Sequence, residues 1–319
     1  MFRRYFRLKA RMLGYEGGLK FYDLFAPVGR ARHDYSPEEA RAILVRELGA
    51  FSPRMAQMIG RAFDERWIDL FPREGKSGGA FCSGVHPLGI SYVLSNFEGS
   101  YGSVSTLAHE LGHAYHNECM RDVPILMSDY PMPLAETASI FNETLLARRM
   151  LEGADAQQRI AVLEQELSDA AQVIVDIMSR YLFESEVIAR RGDAALNPRQ
   201  LCEIMLDAQK KTYGDGLDPD CMHPYMWACK SHYYSTEVHF YNFPYAFGQL
   251  FAVGVYALYE QKGAAFLPDY EKLLRSAGSG DVREVAAGVG IDVTDVNFWR
   301  GSLKVFEEKL AELERLAEG

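Results

Sequence analysis

Apolar residues recur three or four positions apart along most of this chain, which is the spacing of amphipathic helices. The longest such stretch covers Ala154–Arg191. Ser36 followed by Pro37 is typical of a helix start, because serine caps free amide groups and proline fits the first turn. The apolar run Leu250–Tyr259 is about half the roughly 20 residues of a membrane span, so it predicts a buried core helix. The chain is therefore expected to be mainly α.

One region breaks the helical pattern. Gly75–Ser100 is rich in glycine and serine and then turns to β-favouring residues in "ISYVLSNF". It predicts a small hairpin or sheet directly before a histidine-rich stretch. Because the sequence shows no internal repeat, low-complexity tract or obvious linker, we expect one mainly helical domain over residues 1–319.

The charge balance argues against a nucleic-acid partner. The 34 Lys+Arg and 44 Asp+Glu residues give a formal charge of -10, whereas phosphate binding needs clustered cations. The cationic cluster near the start predicts an amphipathic first helix with solvated cations, and a membrane-surface helix or a mitochondrial leader is the alternative. Its members are Arg3, Arg4, Arg7, Lys9 and Arg11.

Cysteine usage and targeting signals bear on the compartment. The 5 cysteines are odd in number and form no CxxC pair, so neither a disulfide framework nor a zinc ribbon is indicated. We recognise no signal peptide or membrane span in the sequence, so we expect a cytoplasmic protein without a membrane partner.

The pentapeptide "HELGH" carries the strongest chemical signal. His109 and His113 are four residues apart, so a helix places both on one face, where they can bind one metal ion. Glu110 points about 100° away from His109, which suits a general base that takes a proton from water without binding the metal. A chance match to HExxH remains the alternative.

A catalytic zinc usually has three protein ligands, so a third must exist. His116 lies about 10 Å along the helix axis from His109 and is too far away, which leaves it beside the metal ligands or in a cleft. Glu136 is the better candidate, because an acid on the apolar side of a helix is costly unless it is paired or bound to metal. Glu143 shares its face and could accept a hydrogen bond from a ligand histidine. The alternative is that both acids are solvated.

Four separated motifs resemble the thimet-oligopeptidase-type metallopeptidase family, most closely its oligoendopeptidase F group. They are "YVLSNFEGSYGSVSTLAHELGHAYH", "YPMPLAETASIFNETLL", "HFYNFPYAFGQLFAVGVY" and "GIDVTDVNFW", and they span Tyr92–Trp299. The resemblance implies a zincin-like, mainly helical catalytic domain that binds one Zn²⁺ and cleaves short peptides. It implies that His109, His113 and Glu136 are the metal ligands and that Glu110 is the general base.

The resemblance also directs attention to late histidine and tyrosine residues that would stabilise the oxyanion of the reaction. We expect Tyr245 to donate to the oxyanion with His232 as its partner, and Tyr241 and His239 to contact substrate. Ordinary core packing of these aromatic residues is the alternative.

The expected function is a zinc-dependent endopeptidase that cleaves internal bonds of short peptides. A zinc carboxypeptidase of similar fold and a non-catalytic zinc- or peptide-binding module are the alternatives. Family members carry an N-terminal helical region before the part matched here. Its absence from this chain predicts a homo-oligomer or a partner chain that replaces it.

Overall fold

The computed structural model describes residues 1–29, 34–192 and 194–318. Within these ranges the chain is mostly helical with a small three-stranded sheet, which confirms the predicted fold class. Its α-helices there are α1 (Phe2–Met12), α2 (Pro37–Gly49), α3 (Pro53–Asp64), α4 (Tyr101–Cys119), α5 (Met132–Ala135), α6 (Thr137–Leu151), α7 (Ala156–Ala171), α8 (Ile177–Arg190), α9 (Pro198–Tyr213), α10 (Phe243–Lys262), α11 (Leu267–Arg275), α12 (Val282–Ala287) and α13 (Val296–Glu318). The strands are β1 (Ile68–Asp69), β2 (Phe81–Val85) and β3 (Ile90–Leu94).

Two compact units make up the chain. The first unit comprises Met1–Gly29, Leu163–Phe247 and Phe306–Gly319, and the second comprises Arg30–Val162 and Gly248–Val305. The predicted metal ligands all belong to the second unit, and the late histidine and tyrosine residues belong to the first. One catalytic domain over residues 1–319 stays a prediction.

Helix α1 lies in the first unit and buries its apolar side chains, as the amphipathic pattern predicts. One of its cations is not solvated, which corrects the expectation for the cationic cluster. The side chain of Lys9 is only 1% exposed, and its Nζ lies 2.7 Å from Glu164 Oε1. Lys9 Nζ also donates to the carbonyl of Leu24 at 2.9 Å. Lys9 is buried because a carboxylate and a carbonyl replace the water that its ammonium group loses.

The long helix predicted over 154–191 is present, with one departure. A π-helical segment, Gln172–Asp176, joins α7 directly to α8. Asp176 ends this segment and is buried, where it accepts hydrogen bonds from Arg180 and, at 3.2 Å, from the hydroxyl of Tyr213. The widened turn shifts the buried face by one residue, so Ile177 is buried while Met178 is 48% exposed. Regular spacing of apolar residues did not reveal this shift.

The predicted β element is the hairpin of β2 and β3, which pair antiparallel from Phe81↔Leu94 to Val85↔Ile90. β1 pairs with β3 in parallel, so the strand order is β1-β3-β2. β1 was not predicted, because a strand of two residues has no readable alternation.

In the second unit, α4 packs against α6 and against the inner face of the sheet. Asn117 on α4 donates to Ser91 Oγ on β3 at 3.0 Å, which ties the helix to the sheet. The apolar run Leu250–Tyr259 lies in α10 and contains fully buried residues such as Phe251 and Val253, which confirms a core helix. Across the described ranges, no helix has the length and apolar character needed to cross a membrane.

Candidate active site

Helix α4 presents two histidines on one face. Ser100 caps its start by accepting a hydrogen bond from the amide of Ser103 at 3.1 Å, which fixes where the helix begins. His109 and His113 then follow one helical turn apart, with ring centroids 4.9 Å apart. Both imidazoles therefore reach the same side of α4, as the four-residue spacing predicts.

Glu136 meets the two histidines from another part of the chain. It sits at the junction between α5 and α6 rather than in the first turns of one helix, because its backbone (φ -84, ψ 3) interrupts the helical path. Its Oε2 lies 3.2 Å from His109 Nε2 and 3.6 Å from His113 Nε2. One ligand atom from each of the three residues lies within 4.8 Å of the others, and no other such group occurs in the described part of the chain. We call these three residues the triad.

The triad fits a divalent cation. Zinc bonds imidazole nitrogens and carboxylate oxygens at about 2.0–2.2 Å in a tetrahedral arrangement, which keeps its donor atoms about 3.4 Å apart. The distances of 3.2 and 3.6 Å from Glu136 to the two histidines match that separation. Two imidazoles and one carboxylate also form a donor set that leaves a coordination position open for water.

Two further polar side chains orient the triad. Glu143, two turns along α6 from Glu136, has its Oε1 3.0 Å from His109 Nδ1. This contact directs the opposite ring nitrogen of His109 toward Glu136, which is the usual way to orient a ligand histidine. Ser139 donates to Glu136 Oε2 at 2.8 Å. The predicted hydrogen bond between Glu143 and a ligand histidine is thus present in the structure.

Close backbone packing brings the triad together. A Cβ atom added to Gly112 would lie 2.5 Å from the carbonyl oxygen of Ala138 and 2.5 Å from Ser139 Cα, so only glycine lets α4 approach α6 this closely. On the other side, a Cβ added to Gly248 of α10 would lie 2.9 Å from Glu136 Cβ. Two glycines therefore help to position Glu136. Gly248 lets α10 pack directly against the Glu136 side chain, and Gly112 lets α4 pack closely against α6, which begins directly after Glu136.

The three triad residues have strongly shifted pKa values. Burial acts to lower the pKa of His109, but the carboxylates of Glu143 and Glu136 outweigh it and raise that pKa well above its usual value. Burial, and then the charge on His109, lower the pKa of His113 to about 4. Burial opposes ionisation of Glu136, yet the hydrogen bond and charge of His109 lower its pKa to about 2. A metal that binds the triad would therefore displace a proton from His109.

Glu110 lines a cavity beside the triad. It is 5% exposed, and its Oε2 has no hydrogen-bond partner among the described residues. The cavity has a volume of about 510 Å³, and His109 and Glu143 also line it. Burial is the main cause that raises the pKa of Glu110 to about 7 in the metal-free site. A carboxylate in that range can both take and return a proton near neutral pH.

Another part of the cavity lining is a glycine-rich segment with its neighbouring strand end, held by two side chains. Gly79 lines the cavity together with Ser95 and Asn96. Asn96 donates to the carbonyl of Gly79 at 2.9 Å. The buried ammonium of Lys76 contacts the Asp69 carboxylate at 3.1 Å and donates to the carbonyl of Ser95 at 2.5 Å. Side-chain hydrogen bonds therefore hold this part of the cavity lining.

His116 occupies a different environment from the predicted one. It is 0% exposed, stacks on Tyr130 with ring centroids 4.1 Å apart, and its Nε2 lies 3.1 Å from the carbonyl oxygen of Leu274. It is not part of the triad and does not lie in a cleft. Burial is the first cause that lowers the pKa of His116, to about 3, so it is a neutral core residue.

The structure brings together three of the four late residues in the first unit. The hydroxyls of Tyr241 and Tyr245 lie 2.9 Å apart, and the ring centroids of His232 and Tyr241 are 5.5 Å apart. His239 is exposed. The buried His232 Nε2 has no hydrogen-bond partner within the described ranges. Because these residues and the triad belong to different units, their catalytic roles stay predictions.

The family model described as peptidase family M3 matches residues 51–305. The chain belongs to peptidase family M3. This confirms the resemblance drawn from the separated motifs. The M3 family is a metallopeptidase family, so a bound metal is implied.

Several M3 relatives align with nearly the whole chain. It is 31% identical over 322 residues to group B oligopeptidase PepB of Streptococcus agalactiae, covering 99% of this chain and 52% of that protein. It is 27% identical over 320 residues to oligopeptidase PepF of Bacillus subtilis, covering 99% and 47%. The chain therefore spans about half the length of the curated relatives it matches.

Solved structures share the fold. A crystal structure from Chlamydophila abortus matches with a TM-score of 0.82 at 27% identity, covering 98% of this chain and 52% of that one. Oligoendopeptidase F from Enterococcus faecium matches with a TM-score of 0.68 at 22% identity, covering 99% and 50%. The second match shows a common fold alone.

Sequence reasoning missed the residues that support the M3 triad. Gly112 lies inside the HELGH motif, and a glycine within a helical pattern is itself a signal of close packing. Ser139 gave no such signal, because its contact depends on where the helix is interrupted. Gly248 gave none, because its partner in the fold lies far along the chain.

Proposed function

We propose that this chain is a zinc-dependent endopeptidase that hydrolyses internal bonds of short peptides. The observation that carries the proposal is the position of Glu110, which lines the same cavity as His109 of the triad. Its carboxylate is buried, and one of its oxygens has no hydrogen-bond partner in the part of the chain that the structure describes. Membership of peptidase family M3 supports a peptide substrate. The names of the relatives, oligopeptidase PepB and oligoendopeptidase F, support short peptides.

His109, His113 and Glu136 would hold the metal. Zinc bound there would polarise the scissile carbonyl and lower the pKa of a coordinated water. Glu143 keeps the imidazole of His109 in the orientation that turns Nε2 toward Glu136, and Ser139 holds the Glu136 carboxylate. The site therefore needs little rearrangement to bind its cation.

Glu110 moves the proton in this mechanism. Its carboxylate takes a proton from the attacking water as the water oxygen bonds to the peptide carbonyl carbon. The protonated Glu110 then gives that proton to the amide nitrogen as the C–N bond breaks, which releases a carboxylic acid and an amine. The second proton of the water passes from the acid to the amine, so the final products are a carboxylate and an ammonium group. The low exposure of Glu110 keeps competing water away from this transfer.

Residues of the first unit would stabilise the negative charge on the carbonyl oxygen. Tyr245 is the proposed donor and His232 its partner, because a neutral O–H placed where charge develops lowers the barrier. Tyr241 supports Tyr245, since their hydroxyls lie 2.9 Å apart. We assign substrate contact to Tyr241 and His239.

The size of the cavity favours a short segment of peptide, rather than a folded protein, as the substrate. Its volume of about 510 Å³ falls within the usual range for small-molecule sites, about 300–1,000 Å³. The backbone of residues 79–80 forms part of the wall and can pair with a peptide main chain without selecting its side chains. We propose short peptides as substrates, no nucleic-acid or membrane partner, and a cytoplasmic location.

The test compares three proteins in one assay. Wild type, Glu110→Gln and Glu203→Gln are loaded with zinc and given an internally quenched peptide of about eight residues. Glu203 is exposed on α9, so its variant controls for the loss of a carboxylate. We expect Glu110→Gln to lose at least about 10²-fold in kcat, and Glu203→Gln to match wild type. Equal turnover by Glu110→Gln and wild type would refute the mechanism.

Mass spectrometry of the products separates the remaining alternatives. Cleavage at internal bonds supports the endopeptidase, whereas stepwise loss of single C-terminal residues supports a carboxypeptidase. A chain that binds zinc and peptide but releases no product would be a binding module. The similarity to Trypanosoma cruzi metallocarboxypeptidase 1, at 14% identity and a TM-score of 0.56, reflects the fold alone.

A further inference from the structure

Tyr245, the proposed oxyanion donor, and Tyr241 follow a residue whose backbone conformation is unusual for its type. We call residues 231–245 the His/Tyr segment. It begins with a short 3-10 helix, Ser231–Tyr234, and continues through bends and a turn until α10 begins at Phe243. Phe240 in this segment has φ +51, a left-handed conformation that a bulky side chain rarely adopts. Such a conformation persists only where the surroundings impose it, and it is often found next to functional groups.

Helix α8 supplies the contacts that impose this conformation. Glu184 Oε1 accepts a hydrogen bond from the backbone N–H of Phe240 at 2.7 Å. The ring of Phe240 packs on Tyr181, one turn earlier, with centroids 5.1 Å apart. Tyr233 packs on Phe183 at 5.3 Å. Three neighbouring positions of one helix therefore hold two points of the His/Tyr segment.

Helix α8 is itself a fixed support. It starts directly after the π-helical segment, where buried Asp176 binds both Arg180 and Tyr213. Phe183 belongs to a buried cluster with Ile204 and Met205 of α9. The helix backbone that carries Glu184 is therefore fixed, so the carboxylate has a fixed point of attachment from which to hold the segment.

Three buried polar atoms of the segment make no hydrogen bond within the described ranges that would hold it in place. His232 Nε2, Tyr233 Oη and Asn242 Oδ1 are buried, yet each has no hydrogen-bond partner among the residues the structure describes. The contact from Glu184 to the Phe240 amide lies between these atoms in the sequence and ties the segment to α8. Phe240 immediately precedes Tyr241, whose hydroxyl lies 2.9 Å from that of Tyr245.

We propose that Glu184 is a positioning residue for the reaction. Its carboxylate fixes the Phe240 amide and thereby sets where the hydroxyls of Tyr241 and Tyr245 point. Glu184 acts through the backbone and does not itself touch substrate. The assignment rests on the proposed function, because it presumes that these tyrosines serve the oxyanion.

Four variants test this role. Glu184→Ala removes the acceptor, Glu184→Asp keeps the charge but shortens the reach, and Glu184→Gln keeps an acceptor oxygen at the same reach without charge. Glu186→Ala is the matched control, since Glu186 lies two residues along α8 and pairs with exposed Arg190. We expect Ala and Asp to lower kcat by about 10- to 100-fold with KM within about twofold, while Gln and the control match wild type.

A second readout does not depend on catalysis. Hydrogen exchange of the Phe240 amide, followed by mass spectrometry of peptides covering residues 236–243, should be at least about tenfold faster in Glu184→Ala and Glu184→Asp than in wild type. Glu184→Gln and Glu186→Ala should exchange at the wild-type rate. Thermal melting of each variant verifies that it is folded.

Several results would overturn the proposal. Glu184→Gln as impaired as Glu184→Ala would show that charge, not the hydrogen bond, matters. If the Phe240 amide of Glu184→Ala exchanged fast but kcat were unchanged, Glu184 would not be a positioning residue. If that amide exchanged as slowly as in wild type, Glu184 would not anchor the segment at all. If wild type hydrolyses no peptide, the proposed function fails, and the exchange rates alone then decide for or against the anchor.

Discussion

Replacing Gly112 by alanine tests the packing that assembles the triad. The added Cβ would lie 2.5 Å from the Ala138 carbonyl oxygen and 2.5 Å from Ser139 Cα. Carbon atoms in ordinary contact are about 3.5–4.0 Å apart, so the space is short by about 1 Å. The obstructing atoms are backbone and cannot rotate away. Helices α4 and α6 must therefore separate.

The size of the effect follows from two opposing contributions. Overpacking typically costs about 1–3 kcal/mol, and more where backbone blocks relaxation, whereas alanine in place of glycine gains up to about 1 kcal/mol in a helix. We expect Gly112→Ala to lower the free energy of unfolding by about 1–3 kcal/mol. His113 adjoins Gly112, and Glu136 lies on the opposing side, so separating the helices also separates these two ligands. Ligand distances in metal sites hold to within about 0.2 Å, so zinc affinity should also fall at least about tenfold.

Urea denaturation of the metal-free protein and competition titration with a chelator measure the two effects. Gly102→Ala is the control, because it makes the same change on the same helix, and its Cβ would meet only Ser100 Oγ at 3.7 Å. Its free energy of unfolding should equal that of wild type or exceed it by up to about 1 kcal/mol. If Gly112→Ala were as stable as the control and bound zinc as tightly as wild type, the close-packing argument would be refuted.

Three further predictions concern other contacts. Glu143→Gln should weaken zinc binding by about 10–100-fold in a chelator titration, since it disturbs the acceptor that orients His109, and unchanged affinity would contradict this role. Lys9→Met should lower the free energy of unfolding in urea by about 3–5 kcal/mol by leaving Glu164 buried without its cation, and a loss below about 1 kcal/mol would count against a buried pair. The arginine four residues after Asp69, and then a buried lysine, lower the pKa of Asp69 to about 2. This contribution to stability is complete above the unfolded pKa near 4 and is lost as pH falls toward 2, so the melting temperature of Asp69→Asn should fall less than that of wild type across this window.

The sequence predicted the parts of the site that depend on local spacing. His109 and His113 share a face because of helix geometry alone, and Glu110 is offset from them for the same reason. Glu136 could be proposed because an acid among apolar residues needs a partner. The contact between Glu143 and His109 followed from the shared face of α6.

Other features depended on long-range contacts that no local pattern contains. Lys9 was expected in water, yet Glu164 lies beside it in the fold. His116 has the spacing of a residue near the metal, but stacking on Tyr130 buries it in the core. Glu184 carries no signal at all, because its partner is a backbone amide at Phe240. Side chains that act through distant backbone are the ones that sequence reasoning misses.

The triad as a metal centre is the central claim, and anomalous X-ray diffraction at the zinc edge tests it most directly. Crystals of the zinc-loaded protein should show one strong anomalous peak within about 2.0–2.2 Å of the Nε2 atoms of His109 and His113 and of a carboxylate oxygen of Glu136. A zinc peak bound elsewhere, or no peak at the triad in a protein that hydrolyses peptides, would contradict the claim.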